Sequence, residues 1–126
     1  MSRMSRILVV DDERSSAEGL RLLLRADGYD VVAMQSPAAA LNLLKKERFD
    51  AVITDLEMPE VHGSEIVAAA RSADRTIPVL VVSAYAASPA GVVAMRAGAR
   101  RLLAKPLDYE ELAVELAAAL AERGST

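Results

Sequence analysis

The feature that most constrains the fold is a repeated alternation between short apolar runs and longer amphipathic segments. The five apolar runs lie at 7–10, 31–34, 51–54, 79–82 and 101–104. An apolar run without polar alternation indicates a strand that is covered on both faces. Strands that alternate with helices predict a parallel sheet with right-handed crossovers. We therefore predict a doubly wound α/β fold, in which a five-stranded parallel sheet has helices on both faces.

Capping residues indicate where the helices begin. Ser36 and Ser88 are each followed by a proline suited to a first helical turn, and Ser64 and Asp108 are further expected caps. The predicted helices run from about 13 to 26, 37 to 47, 65 to 72 and 89 to 97, with a last helix from 109 onward. We expect residues 124–126 to be frayed.

Length and composition predict one folded domain over residues 1–126, with a core at about 5–122. The net charge of −3 gives no electrostatic footprint for nucleic acid. The chain has no cysteine, which excludes disulfides and thiolate metal sites. The first apolar run is only four residues long before Asp11 interrupts it, which is too short for a signal peptide. No run reaches the ~20 apolar residues that a membrane span requires. We expect a soluble cytoplasmic protein without direct nucleic-acid or membrane contacts.

Reactive side chains follow four of the five apolar runs. Asp11 and Asp12 come after the first run, Asp55 after the third, Ser83 after the fourth and Lys105 after the fifth. Because ligands bind beyond the carboxyl ends of parallel strands, we expect these side chains to converge at one edge of the sheet.

The chemistry of this set points to phosphoryl transfer. Two carboxylates about 4 Å apart repel each other by roughly 4 kcal/mol, so the acids should take up protons or bind a cation. Oxygen ligands favour Mg²⁺. The ammonium of Lys105 and the hydroxyl of Ser83 suit phosphoryl oxygens. With Asp55 as the nucleophile, these are the components of an acyl-phosphate site.

The motifs resemble those of a bacterial two-component response-regulator receiver domain. The resemblance covers essentially the whole chain, through Ile7–Glu13, Asp55–Pro59 with Gly63, Pro78–Ala84, and Gly98–Ala99 ahead of Lys105–Pro106. It implies a flavodoxin-like receiver fold with strand order 2-1-3-4-5. It also implies a signalling switch rather than an enzyme, with Mg²⁺-dependent self-phosphorylation and autodephosphorylation only. The phosphodonor would be a histidine kinase or a histidine phosphotransfer protein.

The resemblance also implies roles for single residues. Asp55 would be phosphorylated, and Asp12, Asp55 and the main-chain carbonyl of Glu57 would bind Mg²⁺, with Asp11 acting through water. Ser83 would be the switch hydroxyl and Lys105 the conserved-type lysine, preceding a cis bond to Pro106. These roles follow from the resemblance and not from spacing.

Two residues beyond these positions are expected to tune the lifetime of the acyl phosphate. Glu57 and Tyr85 lie two residues after Asp55 and Ser83 respectively, so their side chains can overhang the phosphoryl group. Glu57 is expected to pair with Lys105 when no phosphoryl group is present, or to face water. Tyr85 is expected to shield the path of attacking water.

Three positions depart from the commonest pattern of the family: Leu102 replaces a frequent Tyr or Phe, Leu107 a Phe, and His62 an Asp. Because Leu102 has no aromatic ring to rotate on activation, we predict that the signal reaches the face of the fourth helix, fifth strand and fifth helix without such a rotation. This face is expected to contact a downstream protein or a second copy of the chain. Its arginines, Arg96, Arg100 and Arg101, are expected to be solvated.

Three alternatives to a stand-alone switch remain at this point. A haloacid-dehalogenase-like phosphohydrolase needs a second aspartate two residues after the nucleophile, where this chain has Glu57. A nucleotide-binding protein is disfavoured because the six glycines form no phosphate-binding motif. The third alternative is a receiver fragment of a larger transcriptional regulator. It is suggested by the stretch Val82–Tyr85, which resembles the corresponding stretch of receivers attached to transcriptional activators.

Overall fold

A computed structural model describes residues 4–85 and 88–124 of the chain. The elements are β1 Arg6–Val10, α1 Arg14–Ala26, β2 Asp30–Met34, α2 Pro37–Lys46, β3 Ala51–Asp55, α3 Gly63–Ala73, β4 Val79–Ser83, α4 Pro89–Arg96, β5 Arg101–Ala104 and α5 Tyr109–Gly124. The predicted alternation is therefore confirmed, with bounds shifted by one or two residues. Gly124 is helical rather than frayed, and Ser125 and Thr126 lie outside the described residues.

The five strands form one parallel sheet in the order β2-β1-β3-β4-β5, as predicted. The register aligns the carboxyl ends of the central strands. Val10 pairs with Thr54, Asp55 with Val82, and Ser83 with Ala104. Residues that follow β1, β3, β4 and β5 therefore emerge at the same edge of the sheet.

Successive residues of the strands fill two separate apolar layers, which explains why the strands are apolar throughout. In β1, Leu8 and Val10 pack in the layer under α2, α3 and α4. Ile7 and Val9 pack in the opposite layer, with Leu24 of α1 and Leu116 of α5. Each large aliphatic side chain buried in this way contributes about 1.5–3 kcal/mol, so both layers hold the sheet in place.

The serine–proline signals mark real helix starts. The Oγ atom of Ser36 accepts a hydrogen bond from the N–H of Ala39 at 3.1 Å, and that of Ser88 accepts one from the N–H of Gly91 at 3.4 Å. Asp108 likewise accepts hydrogen bonds from the first turn of α5, including one of 3.0 Å from the N–H of Glu110. These side chains satisfy main-chain donors that the helix leaves without partners.

The predicted cap at Ser64 is wrong, because α3 begins at Gly63 and follows His62. The N–H of His62 donates to Glu65 Oε2 at 2.8 Å, and the N–H of Gly63 donates to the Leu56 carbonyl at 2.9 Å. A Cβ atom at position 63 would lie 2.5 Å from the Asp55 carbonyl oxygen, so only glycine allows this approach. The helix starts early because its first residue packs against the end of β3.

The arginines of the predicted solvated face, Arg96, Arg100 and Arg101, are exposed as expected, and two of them also pair with acids of α5. Arg100 pairs with Glu115, at 2.9 Å, and with Glu122 of α5. Arg101 pairs with Glu115 at 3.2 Å and with Glu111 at 3.7 Å. These ion pairs connect the start of β5 to α5. Within residues 4–85 and 88–124, no helix has the length and apolar character that crossing a membrane requires.

Candidate functional site

Three carboxylates lie together at the carboxyl edge of the sheet. Asp55 is the last residue of β3, and Asp11 and Asp12 follow the adjacent strand β1. One carboxylate oxygen from each residue lies within 4.8 Å of those of the other two. Asp55 is 6% exposed, whereas Asp12 is exposed to solvent. The predicted convergence of these acids therefore occurs.

Lys105 completes the polar cluster from the end of β5. Its Nζ atom donates to Asp55 Oδ2 at 2.9 Å. Its main-chain N–H donates to the Ser83 carbonyl at 2.9 Å, which ties the segment after β5 to the end of β4. The Lys105–Pro106 peptide bond is cis, as the family resemblance implied.

The second oxygen of Asp55 is the most unusual atom of the site. Asp55 Oδ1 is buried and has no hydrogen-bond partner among the described residues. An ionised oxygen buried without a partner carries a desolvation penalty that a ligand would relieve. Three carboxylates that include such an oxygen fit a hard divalent cation of the Mg²⁺ type.

The pKa values of two carboxyl groups at this edge, Asp55 and Asp11, are raised, mainly because both groups are partly buried. Burial raises the pKa of Asp55, and the charges of Glu57 and Asp12 raise it further, which outweighs the lowering effect of Lys105. Burial is also the main cause that raises the pKa of Asp11, with Asp55 contributing. Burial lowers the pKa of Lys105, but the hydrogen bond to Asp55 together with the charges of Asp55, Asp11 and Glu57 outweighs burial, so the lysine pKa is raised.

Glu57 makes contacts that the sequence did not predict. Its Oε2 atom accepts a hydrogen bond of 2.6 Å from the Ser83 hydroxyl, and its Oε1 atom accepts one of 3.1 Å from the N–H of Ala84. The expectations that Glu57 faces water or pairs with Lys105 are wrong, since the ammonium of Lys105 pairs with Asp55. The partner is 26 residues away in the chain, and only the pairing of β3 with β4 reveals it.

The remaining residues singled out from the sequence surround this cluster. Tyr85 is 70% exposed, and its main-chain N–H donates to Ser83 Oγ at 2.9 Å. Leu102 is partly buried and packs against the apolar layer under α2, α3 and α4. Leu107 is partly buried in the opposite layer, near α1 and α5. His62 is exposed at the start of α3 and is not among the acids of the cluster.

A cleft of about 430 Å³ gives access to Asp55 from one side. It lies between α1 and the segment after β5, and Ser16, Leu20, Lys105 and Pro106 contribute to its walls. A larger cavity of about 660 Å³ lies near the ends of α2 and α3 and contains none of the predicted site residues. The smaller cleft is therefore the one that bears on function, because Asp11, Asp55 and Lys105 line it.

Comparison with known proteins agrees with this geometry. The response regulator receiver domain family matches residues 7–117. Response regulator MprA of Mycolicibacterium vanbaalenii is 40% identical over 115 residues, which are 91% of this chain and 50% of that protein. Transcriptional regulatory protein ZraR of Klebsiella oxytoca is 38% identical over 115 residues, which are 91% of this chain and 26% of that protein.

A solved structure extends the likeness to the fold. The Thermotoga maritima response regulator TrrA, in complex with Mg²⁺-BeF, has a TM-score of 0.79 and 27% identity, covering 92% of this chain and 99% of that chain. This chain spans between about a quarter and a half of the two curated relatives. Because the family match, the sheet order and the acidic site agree, the chain belongs to the response regulator receiver domain family.

Proposed function

We propose that this receiver domain is a phosphorylation-dependent signalling switch in which Asp55 accepts the phosphoryl group. The observation that carries the proposal is the uneven environment of the Asp55 carboxylate. One oxygen is held by Lys105, while the other is buried without a partner among the described residues, beside Asp11 and Asp12. A carboxylate that an ammonium holds in position and whose second oxygen can take a cation suits attack on an incoming phosphorus.

In the proposed reaction an Asp55 carboxylate oxygen bonds to phosphorus, and the bond from phosphorus to the donor breaks. The donor's imidazole nitrogen leaves with the bonding electron pair. Lys105 already contacts the same carboxylate, so its ammonium can neutralise a transferred phosphoryl oxygen. The hydroxyl of Ser83, which lies at the end of the adjacent strand, supplies a hydrogen bond to the product.

The residues present fit a Mg²⁺ ion. Asp12, Asp55 and the main-chain carbonyl of Glu57 would hold the ion, and Asp11 would reach it through water. When bound, the ion neutralises charge that develops on the phosphoryl oxygens. The support is the clustering of carboxylate oxygens from Asp11, Asp12 and Asp55 within 4.8 Å. TrrA provides further support, since it was solved with Mg²⁺-BeF.

The phosphodonor in this proposal is a histidine kinase or a histidine phosphotransfer protein. The cleft beside Asp55 is open to solvent between α1 and the segment after β5, so a donor imidazole can approach from that side. A small acyl phosphate can use the same opening. The curated relatives named as response and transcriptional regulators agree with such a donor.

The proposed output surface consists of α4, β5 and α5. Val92, Val93 and Met95 of α4 are each more than 40% exposed. A downstream protein or a second copy of the chain would cover these side chains. Because this chain spans only part of its curated relatives, we propose that the receiver regulates a further part of a longer protein or a separate partner.

The proposal for Tyr85 concerns the lifetime of the acyl phosphate. The support is that the tyrosine is 70% exposed and that its main-chain N–H is hydrogen-bonded to Ser83 Oγ, two residues away. Shielding of the in-line path of water would slow hydrolysis. Tyr85→Ala should therefore accelerate dephosphorylation, and an unchanged rate would exclude shielding.

The function is tested by incubating the chain with acetyl phosphate and Mg²⁺ and measuring its intact mass. Wild type should gain one phosphoryl group, and Asp55→Asn should gain none. Equal labelling of both proteins would refute the assignment of Asp55. Turnover of p-nitrophenyl phosphate provides the second measurement, because repeated turnovers would indicate a phosphohydrolase instead of a switch.

A further inference from the structure

The hydroxyl of Ser83 is fully engaged before any phosphoryl group arrives. Ser83 is 0% exposed, and its single O–H proton is donated to Glu57 Oε2 at 2.6 Å. Its oxygen also accepts a hydrogen bond from the N–H of Tyr85 at 2.9 Å. A hydroxyl has one proton to donate, so Ser83 cannot bind a phosphoryl oxygen while it holds Glu57.

The neighbouring main-chain donor is engaged by the same carboxylate. The N–H of Ala84 donates to Glu57 Oε1 at 3.1 Å, so the two oxygens of Glu57 accept from donors of two consecutive residues at the end of β4. A hydroxyl and a main-chain N–H are typical donors to phosphoryl oxygens. Glu57 thus presents to the end of β4 an anionic, two-oxygen group of the kind that a phosphoryl group would present.

The electrostatics make this contact sensitive to the state of Asp55. The charge of Glu57 already acts on Asp55, since it contributes to the raised pKa of that carboxyl group. A phosphoryl group on Asp55 would add negative charge next to Glu57. Glu57 is an exposed residue in the loop after β3, so its side chain can move out into solvent.

We propose that Glu57 is a built-in competitor of the phosphoryl group, which holds Ser83 and Ala84 in the resting state and must be displaced when Asp55 is modified. This inference rests on the proposed function of Asp55. It assigns to Glu57 a positioning role that differs from contact with Lys105. It also makes the resting position of Ala84 and Tyr85 a consequence of one carboxylate.

The proposal predicts how affinity for a phosphoryl mimic changes with the reach of residue 57. Occupied donors reduce the fraction of the protein that is competent to bind, and the apparent Kd rises by the inverse of that fraction. Beryllofluoride at saturating Mg²⁺ is the probe, titrated into the full chain and followed by amide NMR. Glu57→Asp keeps the charge but withdraws it by one methylene, so binding should tighten by roughly fivefold or more.

Two further variants separate reach from charge. Glu57→Gln keeps the length and removes the charge. It replaces one of the two acceptor oxygens with an NH₂ group, so only one of the two donors keeps its acceptor, and binding should tighten less than in Glu57→Asp. Glu60→Gln removes a charge from an exposed residue of the same loop and should leave the Kd unchanged within about twofold. If charge alone governed affinity, Glu57→Gln would tighten binding and Glu57→Asp would not, which would overturn the proposal.

An independent readout protects the test from indirect effects on folding. In the absence of beryllofluoride, the Ala84 and Tyr85 amides of Glu57→Asp should shift toward their positions in the beryllofluoride-bound wild type. Unmoved amides would contradict the proposal even if affinity changed.

Asp55→Asn should abolish binding in every background. A wild type that fails to bind would refute the proposed function and this inference with it, whereas equal binding by wild type and Glu57→Asp would refute the inference alone.

Discussion

At Asp55 the two carboxylate oxygens have different surroundings, and this difference has a cost for folding. Oδ2 receives the ammonium of Lys105, whereas buried Oδ1 has no partner among residues 4–85 and 88–124. The net effect raises the pKa of Asp55, so the ionised form is less favourable in the folded chain than in the unfolded chain. The residue placed for chemistry is therefore a destabilising one at neutral pH.

The sign of the pH dependence follows from the raised pKa of Asp55. The folded chain binds this proton more tightly, so the contribution of Asp55 to the unfolding free energy is most favourable below the ordinary pKa of 3.8 and is lost as pH rises from there through the folded-state pKa. In the presence of a chelator at pH 7, Asp55→Asn should have a higher melting temperature than wild type, because the substitution removes the cost of burying an ionised carboxylate. The gain should shrink toward pH 4. A variant that is less stable at pH 7 would show that the pair with Lys105 outweighs burial.

Single residues divide into those that the sequence located and those that it did not. Asp12, Asp55 and Lys105 were found because each lies at the end of an apolar run or within two residues of it, and parallel strands bring their ends together. The partners of Glu57 were missed because its side chain can reach several acceptable donors, and spacing does not choose among them. The pairing of Arg100 with α5 was missed for the same reason.

Among the elements, the contact between β3 and α3 is the tightest constraint on the site. Gly63 approaches the Asp55 carbonyl so closely that a Cβ atom would overlap it at 2.5 Å, and Leu56 Cα at 2.7 Å. Gly63→Ala should therefore destabilise the fold by about 1–3 kcal/mol, as overpacking does. Gly19→Ala is the control, because Gly19 lies within α1 with nothing within 4 Å of the added atom.

Chemical denaturation measures both glycine variants. Gly19→Ala should stabilise the chain by about 0.5–1 kcal/mol, because alanine is the better helix former. Gly63→Ala should also alter the amide shifts of Asp55 and Leu56, whereas Gly19→Ala should not. Equal stability changes in the two variants would contradict the close approach at Gly63.

β5 transmits the signal in our account without an aromatic side chain at position 102. Leu102 is partly buried against the α2–α4 layer, so truncation should cost roughly 2 kcal/mol, at the low end for leucine. Beryllofluoride should perturb amides from Ser83 to Val92 more than that of Leu102, in wild type and in Leu102→Ala alike. The comparison uses the described amides, since Ala86 and Ala87 lie outside them. A stable Leu102→Ala that no longer responds would show that position 102 is the switch.

Element boundaries were predictable where a local hydrogen bond sets them. Ser36 and Ser88 cap their helices through side chains three residues from the donors, a relation that sequence alone contains. The start of α3 was not predictable from Ser64, because packing of Gly63 on β3 decides it. The sheet order followed from the family resemblance, whereas strand alternation alone leaves several orders open.

For the whole molecule, we predict that the clustered acids make stability depend on Mg²⁺. Binding to the folded state alone, at a hundredfold excess over Kd, contributes about 2.7 kcal/mol. For a chain of this length that corresponds to a rise in Tm on the order of 10 °C. Asp12→Ala should remove most of the rise, and Glu60→Gln should retain it. A Tm that is the same in chelator and in excess Mg²⁺ would argue against the site formed by Asp11, Asp12 and Asp55.

The central claim is that the phosphoryl group resides on Asp55, and peptide mapping tests it most directly. The chain is labelled with acetyl phosphate and Mg²⁺, the acyl phosphate is trapped by borohydride reduction, and the reduced residue is located by tandem mass spectrometry. The account predicts a single reduced residue at Asp55, and loss of the label when hydroxylamine precedes reduction. A label on Asp11, Asp12 or His62, or one that hydroxylamine leaves intact, would contradict it.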